Sequence, residues 1–349
     1  MKKIFAIALA VAAFAACNKA EVVENAPAAA IAFDNAFVDN ATKAATDITI
    51  ATLANFGVYG TVTNGTNGAL LFDNTEVTKS GDAAPYTYTY SPVQYWIEGA
   101  QYTFSAYAPY TGKQWAFAPT NADAHKGTLS FDNEAANGEQ DLLFASASRS
   151  TNNTTISTTP DPISFTFSHL LSKVVFKYTN GFSDGKISLK VYDVKINNAA
   201  AKGTIPVAEG EAGVWTAAAD DNDYVRSFGS ATASAAAALA NDASTTTEHF
   251  YLIPVNRTYN ITFKVDLYQA GVLLQTYQHT VDTEIDIQKG KSYSFNATLT
   301  PENVNPANPL YPIEFNVSEV NEWDPATGGS DVTIPVPTPE EDEEEGTNN

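Results

Sequence analysis

The strongest constraint on the fold comes from a segment near the middle of the chain, Ile163 to Tyr178, with the sequence ISFTFSHLLSKVVFKY. Ile163, Phe165 and Phe167 alternate with serine and threonine, which is the two-residue period of a strand with one buried face. A bend at 169–172 follows, and a second run of β-branched and aromatic residues predicts another strand. A chain organised around two such strands is expected to be all-β.

The sequence on both sides of this segment has the same β-rich character. Helical periodicity is poor throughout, and turn residues recur between short apolar runs, as in proteins built from many short strands. With 349 residues, of which 44% are hydrophobic, the chain can form two domains with substantial cores. The polar Ser/Thr/Asn tract 146–160 predicts the connection between them. We therefore expect two β-sandwich domains, at about residues 31–160 and 161–336.

The clearest individual strand signals lie in 53–62, 259–268 and 272–281. Gln269-Ala270-Gly271 separates the last two and predicts a hairpin turn. In contrast, the stretch 199–248 shows no sustained alternation and is expected to be irregular. Within it, the acidic run 220–223 does not have the ligand spacing of an EF-hand calcium loop and is interpreted as a solvated loop.

The charge of the chain excludes a role in nucleic-acid binding. Its 19 Lys and Arg residues face 40 Asp and Glu residues, for a net charge of −21, whereas phosphate binding needs basic patches. An enzyme is also disfavoured, since the sequence contains no serine-hydrolase, zinc-protease or nucleotide-loop motif, and no cofactor or metal site is predicted. Four histidines lie far apart in sequence, and the only one within a motif, His169, is interpreted as structural.

The N-terminus predicts export. Lys2 and Lys3 precede a short apolar stretch, 4–14, which is too short to span a bilayer, and a small-residue site follows it. Residues 1–16 are therefore interpreted as a signal peptide of the lipoprotein type, because Phe-Ala-Ala precedes Cys17, the only cysteine. The alternative is a simple secretory peptide that leaves Cys17 by chance. The polar stretch 17–30 predicts a flexible tether to the folded region.

Three segments carry a resemblance to a known family. The central segment resembles the F-x-F-x-H-x-x-[SA]-[KR]-V-x-[FV] motif of the Bacteroidales fimbrillin-like proteins, the subunits of type V pili. The phrases YTFSAYAPY at 102–110 and GKSYSFNATL at 290–299 are also similar to that family. The resemblance covers nearly the whole mature chain, and it implies that each of the two sandwich domains is transthyretin-like.

The resemblance implies a route of assembly. The lipoprotein is carried to the outer membrane and exposed at the surface, a trypsin-like protease removes its first strand, and the vacated groove accepts a strand from the next subunit. Thr42-Lys43-Ala44 matches the family's cleavage site, with lysine where arginine is commoner. It lies in the stretch 40–47, which has no apolar periodicity and predicts an exposed loop. Cleavage between Lys43 and Ala44 and a loop lysine without a role both remain open.

The donor strand is expected within 309–336, where two alternating apolar runs flank the glycine-containing stretch 324–330. The candidate residues are Ile313, Phe315, Val317, Val320, Trp323, Val332 and Ile334. The alternative is that these residues form only the last fixed strands of the second domain. The acidic tail 337–349 is expected to be disordered.

A polymerising pilin, in a stalk rather than a tip position, is the function that these features favour. Its partners would be copies of itself or related pilins, a maturation protease, the outer membrane through the lipid anchor before processing, and a ligand on a host or bacterial surface. The alternative is a surface lipoprotein that does not polymerise and binds glycans through a tyrosine-rich face. The tyrosines concerned alternate along 86–107, although such rows more often fill a sandwich core.

Overall fold

The computed structural model describes residues 29–38, 48, 52–65, 67–81, 86–151, 160–218, 224–232, 238–308, 310 and 312–320. Over these residues the regular structure consists of strands, which confirms the all-β prediction. The strands are β1 (Phe33–Val38), β2 (Asn55–Asn64), β3 (Asn67–Ser80), β4 (Thr87–Thr89), β5 (Gln101–Ala108), β6 (Trp115–Thr120), β7 (Asp123–Asp132), β8 (Leu143–Ser150), β9 (Ile163–His169), β10 (Ser172–Asn180), β11 (Ile187–Ala199), β12 (Lys202–Ala208), β13 (Glu211–Ala212), β14 (Thr216–Ala217), β15 (Tyr224–Gly229), β16 (Ser244–Thr246), β17 (Phe250–Leu252), β18 (Arg257–Gln269), β19 (Val272–Ile285), β20 (Ser292–Leu299) and β21 (Asn316–Val320).

The N-terminal sheet closes on itself as a barrel, in the order β1-β4-β3-β2-β5-β8-β9. Its interior is filled by aromatic side chains from alternate positions of the strands. Gly60 in β2 makes room for this packing, because a Cβ there would lie 2.7 Å from the Phe72 ring and 2.9 Å from the Phe104 ring. The parallel pair of β1 and β9 joins the two ends of the sheet and so closes the barrel.

The C-terminal strands form a sandwich of two sheets around a second core. One sheet has the order β16-β10-β20-β21, with β17 also paired to β10, and the other has the order β15-β11-β18-β19. Aromatic and β-branched residues from both inner faces fill the space between them, including Phe176, Tyr178, Phe263 and Phe295, each fully buried. The predicted hairpin is present, with Gln269 paired to Val272 across the turn.

A third sheet crosses from one half of the sequence to the other. Strands β6 and β7 come from the N-terminal half, and β12, β13 and β14 come from the stretch 199–248. β12 pairs with β7 over six residues, from Lys202 opposite Asp132 to Val207 opposite Gly127. The expectation that 199–248 is irregular is therefore wrong for β12 to β16. β12 to β14 are short, and the apolar residues of this region cover a separate core that contains Trp115, Phe131, Ile205 and Trp215. Phe228 of β15 belongs to the C-terminal core instead.

The central segment forms the two predicted strands, but they belong to different sheets. β9 has a strict alternation of buried and exposed residues, pairs with β1 and β8, and completes the N-terminal barrel. β10 lies in the C-terminal sandwich between β17 and β20. The division between the two sheet systems therefore falls after His169, later than the boundary expected between residues 160 and 161.

Buried polar contacts lie at this division, within the N-terminal part and between the two parts. His169 Nδ1 lies 2.8 Å from the Asp141 carboxylate, and both side chains are almost completely buried. This contact agrees with a structural role for His169. Further along the junction, the Arg226 guanidinium of β15 donates to Asn137 Oδ1 (2.9 Å) in the turn after β7 and lies over the Phe250 ring.

Candidate strand-exchange site

The first strand occupies the position that closes the barrel. Phe33 is opposite Ile163 and Asp34 is opposite Ser164 in the parallel pair with β9, while Asp34 is also opposite Thr87 of β4 in an antiparallel pair. β1 therefore lies between two strands that do not pair with each other. If β1 left, both neighbours would present unpaired backbone groups, which is the condition for another strand to bind there.

The residues just before β1 extend this pairing to the loop between β4 and β5. The Ile31 amide donates to the Gln94 carbonyl (2.9 Å), and the Trp96 amide donates to the Ala29 carbonyl (3.0 Å). The Tyr90 hydroxyl donates to the Ile31 carbonyl (2.6 Å) and accepts a hydrogen bond from the Gln94 amide (3.2 Å). These contacts fix the register of 29–32 against the loop.

Two side chains of this segment fill the barrel. Ile31 is 1% exposed and Phe33 is 2% exposed. The Phe33 ring contacts four other aromatic rings, with centroid separations of 5.4 to 6.0 Å. These rings are Phe72, Tyr90, Phe104 and Phe165. The pocket under β1 is therefore shaped to accept a large apolar residue at one position of an inserted strand, and a smaller one two residues earlier.

The end of the described chain lies in the C-terminal sandwich. β21 is antiparallel to β20, with Asn316 opposite Asn296 and Val320 opposite Ser292, and it is the last strand of its sheet. Ile313, Phe315 and Val317 are between 5 and 8% exposed. The Phe315 ring contacts those of Phe176, Tyr178, Phe263 and Phe295.

The remaining residues predicted for maturation and donation lie outside the described residues. They are Cys17, Lys43, Ala44, Trp323, Val332 and Ile334, together with residues 17–28 of the predicted tether, the acidic tail and the run 220–223. The last two residues of the predicted tether, Ala29 and Ala30, pair with the loop around Tyr95. Of Val320 the structure describes the backbone pairing. The predicted site residues that the structure does bring together are thus Ile313, Phe315 and Val317, and they meet in the core of their own domain.

The tyrosine-rich row is mostly interior. Tyr88, Tyr102 and Tyr107 are 7% exposed or less, and burial raises the pKa of Tyr88 to about 12. Tyr95, in contrast, is 49% exposed. The row therefore fills the barrel and the neighbouring core rather than presenting a continuous aromatic face, which removes the feature that suggested glycan binding.

The C-terminal sandwich also contains a buried histidine. His279 on β19 is 3% exposed, and burial lowers its pKa to about 4. It lines a cavity of about 710 Å³ between β19 and the segment 303–315, together with Asn303, Asp282 and Phe315. The alternation of residues in β19 could have indicated that the His279 side chain points inward. The sequence pattern does not indicate that residues 303–308 and 312–315 lie over it.

The described residues contain no group of three or more His, Cys, Asp or Glu side chains that could hold a metal ion. A helix long and apolar enough to cross a bilayer is likewise not found in the part of the chain that the structure describes.

This arrangement defines an all-β protein whose first strand closes a barrel between β4 and β9. The chain belongs to the fimbrillin-like family, whose model matches residues 42–323. No curated protein matches it.

The chain is similar to several solved structures at low sequence identity. One is a candidate cell adhesion protein from Bacteroides uniformis, with 16% identity and a TM-score of 0.48, covering 86% of this chain and 99% of its own. Another, from Bacteroides ovatus, has 16% identity and a TM-score of 0.47, with coverage of 85% and 97%. The fimbrial anchor protein Mfa2 from Porphyromonas gingivalis has 10% identity and a TM-score of 0.36, with coverage of 84% and 98%.

Proposed function

We propose that this chain is a fimbrial subunit of the type V kind, which polymerises by protease-activated donor-strand exchange and supports adhesion, in the stalk rather than at the tip. Family membership supports the pilin or adhesin role. The observation that carries the mechanism is the position of β1, which closes the barrel between β4 and β9 and places Phe33 among four rings. A cut after Lys43 would free this strand from the rest of the chain.

The groove left by β1 has the two properties that strand addition requires. Backbone groups of β9 and of the loop around Gln94 lose their partners, and a donated strand satisfies them while its alternate side chains enter the pockets of Ile31 and Phe33. Because the donor comes from the end of one subunit and the groove lies at the start of the next, the contact does not close, and a filament results.

Within the predicted donor region, the downstream part fits the role best. Withdrawing Ile313, Phe315 and Val317 would empty three buried positions of their own sandwich, and truncating a single buried phenylalanine already costs about 3–5 kcal/mol. The segment 332–336, VTIPV, alternates apolar residues with the same period. We therefore assign donation to 332–336, with β21 and the residues before it remaining in place.

A lipid on the N-terminal segment would account for delivery to the cell surface. Lipidation of Cys17 would anchor the precursor in the outer membrane, and cleavage after Lys43 would release the lipid-bearing segment together with β1. The protease is thus both the activator of the groove and the step that detaches the subunit from its anchor. Polymerisation and release from the membrane are then coupled in one event.

Cleavage is tested with the purified full chain and a trypsin-like protease of limited activity. The wild type should give a new N-terminus at Ala44 by N-terminal sequencing, and filaments by electron microscopy, whereas Lys43→Ala should remain folded and form no filaments. Lys186→Ala, at an exposed turn lysine, is the matched control and should behave as the wild type. Filaments formed by Lys43→Ala would refute activation at this site.

Donation is tested by deleting residues 321–349, which retains β21 and the buried core. This variant should be cleaved and folded but should form no filaments on its own, and small amounts of it should shorten wild-type filaments because it can accept a strand but not give one. A peptide of residues 328–340 should bind the cleaved variant, and the same peptide with Ile334→Asp should not. If the deleted protein polymerises like the wild type, the donor lies elsewhere.

A further inference from the structure

Two sets of large apolar side chains remain exposed on this strongly acidic chain, one at each end of the segment formed by β9 and β10. The first, here called the apolar strip, consists of Val93, Tyr95 and Ile97, which are 49%, 49% and 43% exposed. The second, here called the apolar knob, consists of Val272, Leu273 and Leu274, which are 63%, 49% and 50% exposed. Scattered exposed hydrophobics are ordinary, but grouped ones mark contact surfaces.

The strip lies beside the segment that precedes β1. Its three residues alternate with Gln94 and Trp96, whose amide and carbonyl groups pair with 29–31, so the three apolar side chains share one outward face. The outward residues of the adjoining segment are the small alanines Ala30 and Ala32, which are exposed and leave the strip uncovered. The strip is therefore continuous with the groove that β1 occupies.

The knob has a different shape. Ala270 and Gly271, both with positive φ (49° and 78°), make the tight turn of the β18–β19 hairpin, and the knob begins immediately after it. Consecutive strand residues point to opposite faces, yet all three knob side chains are exposed, because this end of the hairpin extends past the core. The first fully buried residue of β19 is His279.

Backbone pairing places the two surfaces at different ends. The Ile163 amide at the start of β9 donates to the Ala32 carbonyl beside the strip. At the other end, Asn180, the last residue of β10, donates from its side chain to the Ile187 carbonyl, and Ile187 is opposite Gln269 at the hairpin turn beside the knob. A flat strip at one end and a projecting knob at the other are unlike surfaces, so contact between them is heterologous and leaves both ends of the pair open.

We propose that the apolar knob of one copy packs on the apolar strip of the next copy, as a second contact between subunits beside the exchanged strand. The identity of the partner follows from continuity, since the strip adjoins the groove in which a neighbouring copy's strand would lie under the proposed function. With a net charge of −21, copies of this chain repel one another, so an apolar contact is the kind that can hold them and that salt strengthens.

The length of the tail agrees with this placement. The described chain ends at Val320, opposite Ser292. Ser292 pairs with Lys173 at the start of β10, whereas the knob lies beside the end of β10. Residues 321–331 span about 36–40 Å when extended, at 3.3–3.6 Å each. β18, with 13 residues, is about 43 Å long. A tail of this length can carry 332–336 over nearly the full length of β18, to the knob end, where the strip and groove of the docked copy would lie.

The contact is tested by cross-linking the full chain in a Cys17→Ser background, which has no other cysteine. The pair Ile97→Cys and Leu273→Cys should give a ladder of trimers and larger products on oxidation in concentrated solution at high salt, about tenfold above the control pair. The control pair is Ile97→Cys and Val225→Cys, because Val225 is 51% exposed on a different strand. Each variant's melting temperature verifies its fold.

Charge substitution gives a second measurement. Leu273→Glu should weaken self-association in sedimentation experiments roughly tenfold, the factor expected for the lost burial of half a leucine side chain. Val225→Glu should leave it unchanged. Equal ladders from the two cysteine pairs, or efficient dimers from Leu273→Cys alone, would overturn the knob-to-strip contact. Binding of the hairpin to phosphatidylcholine vesicles without a ladder would overturn it in favour of a lipid surface.

The contact and strand exchange can fail separately. In uncut Lys43→Ala the groove remains filled, so a ladder there supports the knob-to-strip contact alone. Filaments that form after cleavage but do not cross-link through Ile97→Cys and Leu273→Cys would retain strand exchange and overturn the contact. A ladder of cross-linked products without filaments would retain the knob-to-strip contact and overturn strand exchange.

Discussion

Replacement of Phe33 by alanine should separate the stability of the precursor from that of the assembled subunit. Phe33 is 2% exposed and its ring contacts four others. Burial of a phenylalanine with such contacts corresponds to about 4 kcal/mol on truncation to alanine, because the cavity and the lost ring pairs add to the transfer free energy. The uncut Phe33→Ala chain should be destabilised by about this amount.

Urea unfolding followed by tryptophan fluorescence measures the effect. With an m-value of about 2 kcal/mol/M for a domain of this size, the midpoint of the N-terminal transition should fall by about 2 M. If the mechanism is right, Phe33 leaves with its strand, so filaments assembled from Phe33→Ala should unfold at the same urea concentration as wild-type filaments. Assembly after cleavage should also be faster, since a weaker strand leaves up to roughly a thousandfold sooner.

Phe315→Ala is the matched control, since Phe315 also contacts four rings but belongs to the C-terminal sandwich. It should lower the stability of the precursor and of the filament alike. If Phe33→Ala lowers filament stability as much as precursor stability, β1 remains in the barrel after assembly and strand replacement is refuted.

Two further predictions concern the anchor and a buried histidine. Cys17→Ser should abolish labelling by a radioactive fatty acid and release a soluble product, and labelling equal to the wild type would show that Cys17 is not the lipid site. The folded-state pKa of His279 is about 4, and its unfolded-state pKa is about 6.5. The unfolded chain therefore binds a proton that the folded chain does not, and the free energy of unfolding should fall as the pH drops from 6.5 to 4. The expected loss is about 2 kcal/mol after allowance for solvent screening. In urea unfolding at several pH values, His279→Gln should lose less stability over this range, and a wild-type slope equal to that of the variant would contradict the linkage.

The sequence by itself determined the local structure. Alternation in Ile163 to Tyr178 predicted β9 and β10, and the order of buried and exposed residues in β9 follows it residue by residue. Gln269-Ala270-Gly271 predicted the hairpin that β18 and β19 form. These features are local because the side-chain period of a strand and the positive φ of a turn depend on neighbours along the chain.

The tertiary structure decided which strands pair. β12, in a stretch without clear alternation, lies against β7, and β9 joins β1 rather than the domain that follows it. Pairing depends on the free energy of burial between segments far apart in sequence, which local pattern does not encode. The same holds for the candidate site, because only the closed barrel shows that Phe33 fills a pocket of four rings between two strands that do not pair with each other.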